Sequence, residues 1–243
     1  MNRNGQIVLV SMATALLALT AAWGGSAEQA PAKPKAEKKK AEAKKAEATT
    51  AKEAAPQEPA SFMKAYEVYR AGKLDEAITA FEQAAKENPD HARTLQFLGR
   101  AYYEKKRYAD AVKTAGRAAN LDPGNARNLR TLGLAQMAAN DLKSAAESFE
   151  KSAKIEPKNF WTLNDLGYAL FQLDRNDEAC KALERAVAVD ATKAMAWNTL
   201  GVARMRAGNR DGAIEAFKKA LQIDPNYAKA KAGLAMAEAA KAK

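Results

Sequence analysis

The sequence predicts an all-α solenoid in which one helix-turn-helix unit of 34 residues recurs along the chain. The first observation is the spacing of Pro89, Pro123, Pro157 and Pro225, which lie 34, 34 and 68 residues apart. The second is that small residues and large apolar residues recur with the same period. A fixed period of this length is typical of repeat architectures, in which each unit buries its apolar face against its neighbours.

Placing each proline at position 32 of the unit divides the middle of the chain into five repeats. The registers are 58–91, 92–125, 126–159, 160–193 and 194–227. Ala191 replaces the proline of the fourth repeat, and we expect the second helix to run longer there because alanine does not stop a helix. Residues 228–243 continue the register for one more helix, which we predict to cap the array.

Two columns of the repeat indicate a pair of closely packed helices. Position 8 is small in every repeat: Ala65, Gly99, Gly133, Gly167 and Gly201. Position 24 is mostly large and apolar: Phe81, Ala115, Phe149, Leu183 and Phe217. Small residues allow the two helices to approach, and the large side chains fill the space between them. The second repeat departs from this pattern, and its helix-interior Gly116 costs about 1 kcal/mol relative to alanine. We therefore expect its second helix to be the least stable.

The chain resembles the tetratricopeptide repeat family through leucine at position 7, a small residue at 8, alanine at 20 and 27, phenylalanine at 24 and proline at 32. The resemblance extends over residues 58–227. It implies a right-handed α-solenoid whose first helices line a concave face. It also implies a protein that binds an extended partner and has no catalytic centre.

Residues 1–27 are predicted to be an export signal. Arg3 precedes an uncharged stretch at 7–23, and Gly25 and Ala27 place small residues where a signal peptidase would cut. The alternative is an uncleaved membrane anchor, for which the uncharged stretch is at the short limit. Either interpretation predicts an exported protein, periplasmic or anchored in the inner membrane and facing the periplasm.

Residues 28–57 are predicted to be a disordered linker. They consist almost entirely of Ala, Lys, Glu, Pro and Thr and carry no large apolar side chain that could be buried. The formal net charge of the chain is +10, and the basic excess lies mainly in this linker and the C-terminal tail. This distribution favours contact with an anionic membrane or cell wall over recognition of nucleic acid.

The residues that usually carry chemistry are scarce. Cys180 is the only cysteine and His91 the only histidine, so no internal disulfide, zinc site or nucleophile–histidine pair can be assembled. Cys180 falls in an apolar column of the repeat and is predicted to fill the core. We therefore predict no enzyme activity, no metal and no cofactor.

The resemblance implies that positions 2, 5, 9, 12 and 13 of the first helices face a partner. These positions define the predicted partner-binding groove: Tyr66, Tyr69, Arg93, Arg100, Tyr103, Arg127, Arg130, Trp161, Asn164, Tyr168, Phe171 and Asn198. Arginines would pair with carboxylates, aromatic side chains would hold an apolar segment, and asparagines would bond a partner's backbone. For the aromatic side chains the alternative is packing between adjacent first helices.

These observations predict a non-enzymatic adaptor of the cell envelope that binds an extended or acidic segment of an unknown protein. The alternative is a structural, self-associating envelope protein, tethered to anionic membrane or cell-wall polymer through its basic linker and tail. Sensitivity to salt separates the two hypotheses, because purely electrostatic tethering weakens steeply as salt is added.

Overall fold

The computed structural model describes residues 58–241, and within this range the chain forms eleven α-helices and no strand. The predicted export signal and linker, and the last two residues, lie outside the described residues. The helices are α1 Ala60–Arg70, α2 Leu74–Glu87, α3 Ala92–Glu104, α4 Tyr108–Leu121, α5 Ala126–Ala138, α6 Leu142–Ile155, α7 Phe160–Gln172, α8 Asn176–Val189, α9 Ala194–Arg206, α10 Arg210–Ile223 and α11 Ala228–Lys241.

Each predicted register contains one first helix and one second helix. Every helix packs against the next along the chain, and the first helices of consecutive repeats also touch one another. The last helix, α11, packs against both α9 and α10, which is the position of the predicted cap. The predicted all-α solenoid is confirmed.

The two helices of a repeat meet where a glycine faces a large apolar side chain. A Cβ atom added to Gly133 would lie 2.6 Å from Cε1 of Phe149, and one added to Gly167 would lie 2.5 Å from Cγ of Leu183. Carbon atoms pack at about 3.5–4.0 Å, so any side chain at these glycines would push the helices apart. Phe149 and Leu183 are fully buried at this contact between the two helices of a repeat, which we call the seam.

The second repeat closes its seam without a large residue. A Cβ atom on Gly99 would lie 3.1 Å from the backbone nitrogen of Ala115, so here the backbones themselves approach. The helix that contains Gly116 is as long as the second helices of the other repeats. Space around Gly116 is open, since the nearest atom to an added Cβ is Cδ1 of Leu132 at 3.9 Å.

The expectation of a longer second helix in the fourth repeat is wrong. Helix α8 ends at Val189, the same repeat position at which α4, α6 and α10 end. The turn after it contains two hydrogen bonds, of which the first has an equivalent after α10, where Pro225 is present. The backbone N–H of Thr192 donates to Oδ1 of Asp190 at 2.9 Å, and Nε1 of Trp197 donates to the carbonyl of Ala191 at 2.8 Å.

We predict that Gly116→Ala stabilises the protein. The new methyl group fits without a close contact, and alanine is better than glycine inside a helix by about 1 kcal/mol. Urea unfolding should show an increase of that size in the free energy of unfolding.

The matched control is Gly133→Ala, the same substitution at the seam of the third repeat. It should destabilise by about 1–3 kcal/mol because the added methyl overlaps the ring of Phe149. Equal effects of the two substitutions would contradict this account of the seam.

Candidate partner-binding groove

A groove of about 370 Å³ lies between the first helices of repeats two, three and four. It is bordered by α3, α5 and the first turn of α7. Five of the residues predicted for partner binding line it together: Arg93, Arg100, Arg127, Arg130 and Trp161. Gln96, at partner-facing position 5 of the second repeat, lines it too. Sequence reasoning missed several others that also line it: Phe97, Thr131, Asn159 and Thr162.

The arginines converge because of helical spacing and the repeat period. Arg127 and Arg130 lie three residues apart on α5, so their side chains occupy the same face of that helix. Arg93 occupies the same repeat position as Arg127, one unit earlier. No acidic residue lines the groove among the residues that the structure describes. Its surface is therefore strongly cationic.

Acidic side chains from neighbouring repeats bind two of these arginines. Nη1 of Arg93 donates to Oε1 of Glu58 at 2.6 Å, and Nε of Arg130 donates to Oδ2 of Asp165 at 2.8 Å. Asp165 is the more buried of the two acids. Burial raises the pKa of Asp165 above its ordinary value, although the adjacent Arg130 acts in the opposite direction.

Arg100 makes a weaker and more exposed contact. Its Nε donates to Oε1 of Glu104, one turn along the same helix, at 3.1 Å. The hydroxyl of Tyr69 donates to the same carboxylate oxygen at 2.6 Å. Burial together with this bond to Glu104 raises the pKa of Tyr69, so the phenol remains protonated at neutral pH.

Arg127 differs from the other three arginines of the groove. Its side chain is exposed, and between residues 58 and 241 no hydrogen bond or ion pair engages its guanidinium group. It is therefore the groove arginine that is fully available to an anion.

Three of these contacts share one offset in sequence. The pairs Glu58–Arg93, Tyr69–Glu104 and Arg130–Asp165 are each separated by 35 residues. Because the repeat is 34 residues long, a side chain at one position of a first helix meets the following position of the next first helix. A search of the sequence for complementary residues 35 apart would have found both acids that pair with groove arginines across repeats.

The aromatic residues predicted for the groove fall into two groups. Tyr66 and Tyr69 pack with the ring of Phe97, whose centroid is 4.9 Å from that of Tyr66. For these two tyrosines, the structure shows the packing between first helices that was the alternative interpretation. Trp161 and Tyr168 are instead 50% and 42% exposed, so their rings are accessible to a partner.

The remaining predicted residues are less accessible. Tyr103 is partly buried on α3, and Phe171 is partly buried against the core, with the guanidinium of Arg206 5.1 Å from its ring centroid. Asn164 and Asn198 are each 8% exposed. Their Oδ1 atoms have no hydrogen-bond partner among the described residues. The predicted bonds from these amides to a partner's backbone stay a prediction.

Residues 58–241 contain no group of three side chains placed to hold a metal ion. Cys180 is partly buried and packs against the core, and burial raises the pKa of its thiol. This is the environment predicted for a core filler, and it disfavours the reactive thiolate. In the same part of the chain, no helix is both long and apolar enough to cross a membrane.

Comparison with known proteins agrees with this architecture. A family model described as tetratricopeptide repeat matches residues 62–126 and 164–228. The chain belongs to the tetratricopeptide repeat family. A model described as anaphase-promoting complex, cyclosome, subunit 3 matches residues 104–186 of this tetratricopeptide repeat protein. No curated protein is significantly similar to it in sequence.

Three solved structures illustrate its similarity to other repeat proteins. MamA is 25% identical with a TM-score of 0.63, over 68% of this chain and 96% of MamA. YrrB, described as a TPR protein with an unusual peptide-binding site, is 21% identical with a TM-score of 0.63, over 77% and 94%. A thermophilic TPR protein of Thermus thermophilus is 21% identical with a TM-score of 0.56, over 74% and 97%.

Membership of the tetratricopeptide repeat family makes this protein an interaction scaffold that binds protein or peptide partners. Members of the family are generally non-enzymatic, and no catalytic family is indicated by either matching model.

We predict that Asp165 and Asp141 affect stability with opposite dependence on pH. The pKa of Asp165 is raised by burial, so the folded state binds its proton more tightly than the unfolded chain. That stabilisation is complete below the unfolded pKa and is lost as pH rises through the folded pKa. Relative to wild type, Asp165→Asn should therefore become more stable as pH rises from about 3 to 7.

Asp141→Asn is the matched control. Hydrogen bonding with Ser144 lowers the pKa of Asp141, which caps α6. Its stabilisation is present above the unfolded pKa and is lost as pH falls through the folded pKa. This variant should therefore become less stable than wild type as pH rises. Urea unfolding across the range measures both trends, and trends of the same sign would contradict the assignment.

Proposed function

We propose that this tetratricopeptide repeat protein is an adaptor that binds an extended, acidic segment of a partner protein in the groove lined by α3, α5 and α7. The observation that carries the proposal is the convergence of four arginines on one groove that no described acidic residue lines. Arginine guanidinium groups bind carboxylates with paired, charge-assisted hydrogen bonds.

The exposed aromatic residues support a segment that is apolar beside its acidic part. Trp161 lies at the edge of the groove, and Tyr168 lies two turns further along the same helix. Aromatic and arginine side chains are the types that contribute most to binding energy at protein interfaces. The acidic part would contact α3 and α5, and the apolar part would contact α7.

A preformed groove makes binding of an extended chain favourable. The first helices are held in place by the glycine seams, so the receptor loses little conformational entropy when it binds. Most of the conformational entropy lost on binding is then lost by the partner segment. Opposite charges accelerate the encounter and orient the bound segment.

We place this adaptor in the cell envelope, on the strength of the sequence of residues 1–27. A cleaved signal would release it into the periplasm, whereas an uncleaved signal would anchor it in the inner membrane. The self-associating, tethered protein remains the second hypothesis. It depends on the basic linker and tail, so its binding to anionic vesicles or cell-wall polymer should vanish in high salt.

The proposal predicts that Arg127→Glu weakens binding of an acidic peptide. The probe is a capped peptide of six glutamates followed by two leucines, titrated into the full-length chain by calorimetry. Losing one charge-assisted contact costs about 1.5–3 kcal/mol, so the dissociation constant should rise at least about tenfold. Fluorescence of Trp161 should report the same titration in a variant whose other two tryptophans, Trp23 and Trp197, are replaced by phenylalanine.

Lys113→Glu is the matched control, since it makes the same charge change at an exposed residue of α4 that does not line the groove. Its binding should stay within about twofold of wild type, because exposed charges at a distance are screened. Equal losses in the two variants would show that only net charge matters, and no loss in either would overturn the groove as the binding site.

A further inference from the structure

We propose that Asp165 is a selectivity residue that competes with incoming carboxylates for Arg130. This inference rests on the proposed function and concerns which acidic partners the groove accepts. Asp165 occupies one guanidinium edge of Arg130, so an anion gains the full interaction with that arginine only if it reaches the remaining edge or displaces the carboxylate. Loosely matched anions would then bind weakly.

The geometry distinguishes this ion pair from an ordinary surface contact. The distance from Nε of Arg130 to Oδ2 of Asp165 is 2.8 Å, and the two side chains are only 30% and 14% exposed. In the pair Arg100–Glu104, by comparison, the side chains are 60% and 37% exposed. Buried pairs are little screened by water and salt, so Asp165 offsets the charge of Arg130 far more effectively than Glu104 offsets that of Arg100.

The contact also joins two repeats. Arg130 belongs to α5 and Asp165 to α7, so the pair connects two of the helices that border the groove. Asp165 itself does not line the groove, whereas Arg130 does. The carboxylate therefore occupies the Nε edge of the arginine and lowers its positive potential, although it is not itself part of the groove lining.

The other groups that face Asp165 do not replace Arg130 as its counter-ion. Electrostatic interactions connect Asp165 with Tyr103 of α3, and the amide of Asn164 interacts with it from the same helix. Both are uncharged at neutral pH. Arg130 is thus the one cation found against Asp165 in the part of the chain that the structure describes, and the two charges are tied to each other.

Arg127 is the unpaired arginine that lies beside this ion pair. Its guanidinium has no acidic partner in residues 58–241, so its full charge is available to attract an anion. The charge of Arg130, three residues away, is already partly neutralised by Asp165. Arg127 attracts anions, and Asp165 competes with them for Arg130. Together they should favour a ligand whose acidic group is well placed over anions in general.

The test compares Asp165→Asn with wild type, using the full-length chain and a capped hexaglutamate peptide at low salt. Asparagine keeps the shape and one acceptor oxygen for Nε of Arg130, so it removes the charge alone. The variant should bind the peptide about tenfold more tightly, as expected when a charge about 6–8 Å from the ligand is removed at a partly buried site. It should also show a steeper loss of affinity as salt increases.

Asp110→Asn removes the same charge from the exposed pair that Asp110 makes with Arg107 and serves as the matched control. Its affinity for the peptide should stay within about twofold of wild type. Compared with Arg130→Gln alone, the double variant Asp165→Asn with Arg130→Gln should show no gain in affinity if the gain is exerted through Arg130. Circular dichroism and thermal melting confirm that each variant is folded.

Every outcome decides the proposal. Tighter binding by Asp165→Asn, absent in the control and in the Arg130→Gln background, supports it, including the case in which wild type does not bind the peptide measurably. Unchanged affinity, weaker affinity or no binding by either protein overturns it. Loss of binding by Arg127→Glu with no effect of Asp165→Asn would overturn the selectivity role of Asp165 while leaving the proposed function intact.

Discussion

The structure depends on the close approach of two helices at a residue without a side chain. At Gly133, Gly167 and Gly201, an added Cβ atom would lie 2.5–2.6 Å from the side chain that the second helix inserts at that point. The same contact recurs in repeats three, four and five, so it sets the spacing of the two helices in each of these repeats. The groove has a defined width because these seams cannot open without exposing fully buried apolar side chains.

Charge is arranged in two layers around that groove. Arginines form its surface, and carboxylates bind three of them without lining it. Such an arrangement allows a protein to display several cations close together without strong mutual repulsion, because three of the four are partly compensated within the folded chain. It also leaves the groove arginines unequal, since Arg127 has no such acid while Arg130 is bound by the largely buried Asp165. For an adaptor, inequality among similar charges is a means of choosing among acidic partners.

The fold could be predicted almost entirely from the sequence, whereas the site could be predicted only in part. Prolines 34 residues apart and a recurring small residue define the helix pairs, since each depends on local backbone chemistry that a single repeat already contains. The prediction failed at Ala191, where the turn contains hydrogen bonds from Thr192 and Trp197. It was incomplete at Tyr66 and Tyr69, whose rings pack against the next repeat and so cannot be assigned from position alone.

What the sequence by itself determined is the number of repeats, the helices within them and the face on which the arginines lie. The number of repeats and their helices follow from the period, because every repeat obeys the same local rules, whereas the face of the arginines follows from the resemblance to the tetratricopeptide repeat family. Only the tertiary structure decided which arginines are already paired. Consecutive first helices are displaced so that a side chain meets the residue 35 positions away, and this displacement arises from how repeats stack. Asp165, inconspicuous in the sequence, thereby becomes the counter-ion of Arg130, while Arg127 lines the groove without a counter-ion among the described residues.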